Sequence, residues 1–262
     1  MQIDGFEIDI LVQGFPGKSV CHGGLGWSTI ALVRGAGHVI LIDTGSFNMR
    51  RLIVDQLASR GLAPADVTDV ILTHAHYDHS INWIMFPSAR VLIGSDELAW
   101  AEAQPIGHTL VPELYIRELA GSLQLRKIAD GEEILPGLRA HAAPGHTPGH
   151  LIFQLSAADR DVIFTGDAAK NRAELISREA DMTMDEGASV RTIARIWALW
   201  EARPGTIVVP GHDVPMILRD GAPTYIEGRR AGITAWFDDT LETTTLFEFS
   251  PQAAPVAQLA AE

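Results

Sequence analysis

The run HAHYDH, residues 74–79, places His74, His76, Asp78 and His79 within six residues of a chain that has only ten histidines. It directly follows the apolar run DVILT, residues 69–73. Imidazole and carboxylate groups crowded at a strand end repel one another when protonated and lose hydration when buried, unless a cation holds them. Neutral imidazole and carboxylate are also the usual ligands of zinc-like ions. The pattern therefore points to a metal site. Three more strand-to-loop junctions end in such groups: His146 in APGHTPGH, Asp167 in FTGDA and His212 in VVPGHD. Glycine and proline around each permit sharp turns that aim side chains at one point. Five histidines and two aspartates suit two metals, three histidines on one, a mixed set on the other, and one carboxylate bridging. Two divalent ions about 3.5–4 Å apart can share a water and lower its pKa towards ~7, so the hydroxide attacks a carbonyl or phosphoryl centre.

The surrounding sequence reads as strands that feed these loops. FEIDILVQG alternates, and WSTIALVRGAGHVILIDTG reads as two strands about a turn at GAG, the second apolar enough to be buried on both faces. FNMRRLIVDQLASRG reads as a helix with Leu52, Ile53 and Leu57 on one side. Residues 96–120 are expected to be helical and broken near Pro105 and Pro112, a pocket wall or lid, with Ser95 or Asp96 as cap. LQLRKI, GLRAHAAPGH, HLIFQLS, DVIFTGDA and GTIVVPGHD read as strands. GASVRTIARIWALWEARPG reads as a helix with Val190, Ile193, Ala194, Trp197 and Trp200 on its apolar face, its tryptophans in the core. Residues 223–242 are expected to form a last helix. The order implies two pseudo-equivalent halves, two packed sheets with helices outside. We expect a single domain over residues 1–245 and a flexible Ala/Pro-rich tail over residues 246–262.

Composition narrows the function classes. At 262 residues with 47% hydrophobic residues, the chain can bury a substantial core. Its formal net charge of −13 leaves no broad basic footprint, so no nucleic-acid partner is expected. A lone cysteine, Cys21, permits no intramolecular disulfide and fits a reducing compartment. No signal-peptide pattern opens the chain and no apolar run reaches the ~18 residues that span a membrane. The expectation is a cytoplasmic protein acting on a small molecule. The Trp- and Leu-rich helices and segment 96–120 offer a homodimer face.

HAHYDH, the PGHTPGH histidine, the GD aspartate and the PGHD histidine, in this order, resemble the metallo-β-lactamase fold superfamily. The resemblance runs from the DTG at residues 43–45 to His212. It implies an α+β fold, an αββα sandwich with the site at one edge of the two sheets. Carried over by residue, His74, His76 and His146 would bind one metal, and Asp78, His79 and His212 the other. Asp167 would bridge and Asp43 would orient the ligands. Two divalent ions are implied, zinc first, with manganese or iron as alternatives. Asp78 would also carry a proton to the leaving group.

Departures from the pattern select a branch. Cys21 lies too early to be the thiolate ligand of some β-lactamases, and Asp167 is more like glyoxalase II, the lactonases and the phosphodiesterases. Acyl-homoserine lactonases carry a tyrosine three residues beyond the bridging aspartate, where this chain has Lys170. Lys170 could polarise the carbonyl, bind a substrate carboxylate or simply be solvated, and Tyr77 could touch substrate or pack. The expected function is a dinuclear hydrolase that opens a lactone or small carboxylic ester with a metal-bound hydroxide. A thioesterase of the glyoxalase II type and a phosphodiesterase or nuclease are the alternatives. GFPGKS is not a phosphate loop, because Val12 stands where the first glycine belongs. Cys21 and His22, in CHGGLGW between the first strands, are expected in a glycine-rich turn, with lining of the pocket as the alternative. His150 is expected to be structural, His108 a weak pocket candidate, and His38 and His141 surface residues.

Overall fold

A computed structural model describes residues 1–20 and 23–249. Its chain divides into two compact units, Met1–Ile226 and Glu227–Glu262. Cys21, His22 and residues 250–262, most of the expected tail, lie outside the described residues.

The first half of the larger unit contains β1 (Gln2–Ile3), β2 (Phe6–Val12), the short ribbon β3 (Lys18–Ser19) and β4 (Gly23–Gly24), β5 (Ile30–Gly35) and β6 (His38–Ile42). Helix α1 (Arg50–Ala58), strand β7 (Asp69–Ile71), the single-turn helix α2 (Tyr77–Ser80), β8 (Arg90–Gly94), α3 (Ser95–Glu102), α4 (Glu113–Ala120) and β9 (Leu125–Ile128) complete it. The second half has β10 (Glu133–Leu135), β11 (Leu138–Ala142), β12 (Leu151–Ser156), β13 (Asp161–Gly166), α5 (Arg172–Ser177), α6 (Glu186–Ala202), β14 (Ile207–Pro210), β15 (Met216–Arg219) and β16 (Ala222–Tyr225). The smaller unit holds the hairpin β17 (Gly232–Ala235) and β18 (Thr245–Glu248).

Two seven-stranded sheets result, ordered β1-β2-β5-β6-β7-β8-β9 and β10-β11-β12-β13-β14-β15-β16. The halves are pseudo-equivalent. β5 and β6 pair antiparallel and β6 and β7 parallel, as β12 and β13 pair antiparallel and β13 and β14 parallel. Period-two alternation explains why the strands are so apolar. Ile40 and Ile42 face the inter-sheet core while Leu41 faces the outer helices, with Ile53, Leu57 and Leu119. Phe153, Leu155, Phe164 and Val209 likewise face inward, and Ile152, Ile163 and Val208 meet Leu175, Ile196 and Trp200. This is the αββα sandwich.

Several expectations need correction. Residues 223–242 form no helix. Asp220 and Gly221 both adopt positive φ and turn β15 directly into β16, as an Asp-Gly pair does in a tight hairpin. The β-branched and aromatic residues Thr224 and Tyr225 then stay in that strand. On α6 the buried face runs through Ala188, Thr192, Ile193, Ile196, Trp197 and Trp200, whereas Val190 and Ala194 point outward. Leu52 on α1 is also exposed, while Ile53 and Leu57 are buried. Gly94 takes the N-cap position of α3 without a side-chain cap, and Ser95 instead donates to the Ile128 carbonyl. Pro112 does break the 96–120 segment, at the N-cap of α4. No helix among the described residues is long and apolar enough to cross a membrane.

Candidate metal centre

Four loops at the C-terminal ends of β7, β11, β13 and β14 converge. The donor atoms of His74, His76 and His146 lie within 4.8 Å of one another, as do those of His74, His79 and Asp167 and those of Asp78, His79 and His212. These are the seven residues singled out from the sequence. Asp167 spans the cluster. One carboxylate oxygen, Oδ2, is 3.3 Å from His146 Nε2. The other, Oδ1, is 3.2 Å from Nε2 of both His79 and His212. Asp78 Oδ2 closes the second group, 3.4 Å from His212 Nε2.

Hydrogen bonds behind the rings fix which nitrogen faces inward. His146 Nδ1 donates to the Met182 carbonyl at 2.9 Å, so its Nε2 lone pair points into the cluster. His79 Nδ1 donates to Asp43 Oδ2 at 2.8 Å. His74 Nδ1 lies 3.1 Å from the Thr73 hydroxyl, which donates to Asp43. Asp43 also accepts the Thr73 backbone N–H at 2.8 Å, and it holds a left-handed φ of 59° to do so. It thus has the orienting place expected of it. Inward-facing atoms are left without their own partners: His74 Nε2 and Asp167 Oδ1 are buried and make no hydrogen bond among the described residues. His76 Nδ1 and His146 Nε2 face each other at 2.9 Å. Lone pairs aimed at lone pairs in a dry site are what a cation-binding set requires. Burial holds His76 neutral, with its pKa lowered to about 4, and lowers that of His146 to about 3. Burial, the strongest influence on His79, opposes its charge, yet Asp167, Asp78 and Asp43 together raise its pKa well above the ordinary value. The donor set fits two divalent ions, three histidines at one position and a histidine–aspartate set at the other.

A cavity of about 640 Å³ opens onto the cluster, lined among others by Lys18, Tyr77, Leu110, Lys170 and Met182. Tyr77 is 43% exposed at this cavity. Lys170 is not a solvated lysine. Its Nζ is 2.9 Å from Glu174 Oε1 and donates to the Asp181 carbonyl at 2.6 Å, and its side chain is only 12% exposed. His150 is buried, and its Nε2 accepts the Asp167 backbone N–H at 3.1 Å, a structural role as expected. His38 pairs with buried Asp69, and His141 is half-buried against Gln154, so neither is a bare surface residue. His108 is not among the cavity-lining residues.

Sequence reading overlooked Glu97. Fully buried at the start of α3, it accepts from the Ala75 N–H, the Thr147 hydroxyl and the Gly149 N–H. Burial pushes its carboxyl up to about 7 against the pull of these three bonds. The available signal was weak: a glutamate sharing the helical face of Ala101, one turn on.

A metallo-beta-lactamase superfamily model matches residues 23–212, a span that contains all seven donors. Metallo-beta-lactamase domain-containing protein 1 of Homo sapiens is 30% identical over 208 residues, covering 78% of this chain and 70% of its own length. An N-acyl homoserine lactonase of Bacillus sp is 27% identical over 165 residues, 62% of each chain. Among solved structures, AidC, a dizinc quorum-quenching lactonase in complex with a product, superposes with a TM-score of 0.63 at 17% identity, over 87% of this chain and 93% of that one. The chain belongs to the metallo-beta-lactamase superfamily.

Proposed function

We propose that this metal-dependent hydrolase opens a lactone or small carboxylic ester at a site built for two divalent ions, zinc being the first candidate. The observation that carries the reading is Asp167, whose two oxygens face the two halves of the donor set, at 3.3 Å from His146 and 3.2 Å from His79 and His212. His74, His76 and His146 would hold one ion, and Asp78, His79 and His212 the other. Bound there, two such ions supply a Lewis acid and a water acidic enough to ionise near neutral pH.

The chain's own groups would do the rest. Asp78 is 17% exposed at its side chain and lines the cavity, so its carboxylate can receive a proton and pass it to the leaving oxygen. An ammonium has three protons, and Lys170 commits two, to Glu174 and the Asp181 carbonyl. The third would meet a substrate carbonyl or carboxylate in the cavity. Leu110 and Met182 give an acyl group an apolar wall, and Tyr77 presents a phenol at the mouth. The sequence similarity to an N-acyl homoserine lactonase supports an ester of this cyclic kind. The lysines lining the cavity, Lys18 and Lys170, are each already paired, with Asp181 and Glu174. Among the described residues, that leaves the cavity little cationic surface beyond the third proton of Lys170 for the carboxylates of a glutathione thioester or for a phosphodiester backbone.

The test is pH-stat hydrolysis by zinc- or manganese-loaded protein, with lactones and simple esters run beside thioesters and bis-p-nitrophenyl phosphate. Lactone or ester turnover above the other two classes is the expected result. Metal-loaded protein that leaves every lactone and ester intact would overturn the reading.

A further inference from the structure

We propose that Glu97 is a positioning residue that sets the three-histidine half of the metal centre by clamping together the two loops that carry it. The inference rests on the reading above that His74, His76 and His146 hold a cation.

Those three histidines come from both sheets. His74 and His76 follow β7 in the first, and His146 follows β11 in the second. One backbone bond joins the two segments, from the Leu151 N–H to the Thr73 carbonyl at 3.0 Å, but it lies at their strand ends. Glu97 ties the loops beside the ligands themselves. Its Oε1 accepts the N–H of Ala75, which stands between His74 and His76, at 2.8 Å. Its Oε2 accepts the hydroxyl of Thr147, the residue after His146, at 2.7 Å, and the N–H of Gly149 at 3.2 Å. One rigid carboxylate thus spans the seam between the sheets beside all three ligands.

Close packing reinforces the clamp. A Cβ on Gly149 would lie 2.1 Å from the Glu97 backbone nitrogen and 2.5 Å from its Cα, so the loop rests directly on the first turn of α3. A fully buried acid costs desolvation, and the three donors it accepts, which an apolar side chain of the same shape would leave without this acceptor, offset that cost. A carboxylate is favoured where three donors from two separate loops must converge on one side chain. Glu97 makes no bond to the Asp78–His79–His212 group, whose His79 is oriented by Asp43. Its effect should therefore fall on one ion of the two.

The test is cobalt(II) titration of the full-length chain after metal removal, read by equilibrium dialysis and by the visible absorption of bound cobalt. Glu97→Gln keeps the side chain's shape but turns one acceptor into a donor facing another donor. We expect one of two cobalt ions to bind about 10–100-fold more weakly, with altered absorption for that ion alone. Thr147→Val, a milder change that removes a single donor, should move the same ion in the same direction. If both variants bind two cobalt ions with wild-type affinity and spectrum, Glu97 serves only stability and the proposal fails, whatever happens to the melting temperature. Equal weakening of both ions also overturns it. A wild-type chain that takes up no cobalt would sink the reading of the donor set, and the clamp with it.

Discussion

Gly211 offers a sharp test, because a single methyl group there meets the Asp167 carboxylate. Gly211 precedes His212 and lies against the turn that carries Asp167. A Cβ built on it falls 2.4 Å from Asp167 Oδ1 and 2.5 Å from the Gly166 carbonyl oxygen. Ordinary contact begins at 3.4 Å, so Asp167 must retreat by about 1 Å or the two strands must part. Parting is resisted by the Gly211 N–H, which donates to that same Gly166 carbonyl at 3.0 Å. Overpacking of this kind costs about 1–3 kcal/mol. A displacement of about 1 Å in a catalytic group can cost 10²-fold in rate. Gly211→Ala should therefore lose activity about 100-fold while remaining folded, with metal content below two per chain. The assay is turnover at saturating substrate beside elemental analysis of the purified protein and a urea melt. A Gly211→Ala protein with full metal content and wild-type kcat would show that the Asp167 position is not set by this contact.

Three other perturbations probe the same centre. Asp167→Ala or His76→Ala should remove metal and hydrolysis together, measured by elemental analysis and turnover; activity persisting in metal-free variant protein would refute the mechanism. Lys170→Met leaves Glu174 buried beside an apolar chain and should destabilise the fold by about 3 kcal/mol in urea unfolding, with Lys170→Met/Glu174→Gln recovering most of it. An unchanged urea midpoint in the single variant would mean that the pair contributes nothing. Stripping metal with a chelator should lower the melting temperature, because at 1,000 times Kd each site adds about 4 kcal/mol, roughly 8–16 °C for a chain of this size. A melt insensitive to chelation would count against metal in the folded state.

What the sequence made legible divides along physical lines. The donors were readable because four crowd into HAHYDH at the end of an apolar strand and His146, Asp167 and His212 each end another beside glycine or proline, so local chemistry and local geometry agree. The αββα layering was readable because strands such as HVILI are apolar at four successive positions, residues 39–42, which burial on both faces explains. Residues 223–242 misled because charges and short apolar steps can imitate a helical period, while the Asp-Gly turn at 220–221 went unread. Lys170 was identifiable as a departure, but its state was not, because its partner Glu174 becomes buried only when α5 packs. Glu97 was opaque for a similar reason. Its three donors lie 22, 50 and 52 residues away in sequence.

His150 shows how the same fold spends stability at this centre. Its Nε2 accepts the N–H of Asp167, so in the neutral ring the proton must sit on Nδ1. Burial keeps the ring neutral by lowering its pKa well below the ordinary value. Yet Nδ1 is buried with no hydrogen-bond partner among the described residues. An unsatisfied buried donor costs about 1–3 kcal/mol. An alternative that avoided this cost would surrender the bond that fixes the Asp167 backbone. It would also surrender the stacking of the ring on His74, 4.8 Å away and tilted by only 24°. One imidazole thus restrains both Asp167 and His74. Two of the four converging loops meet on one buried ring, which holds their relative geometry.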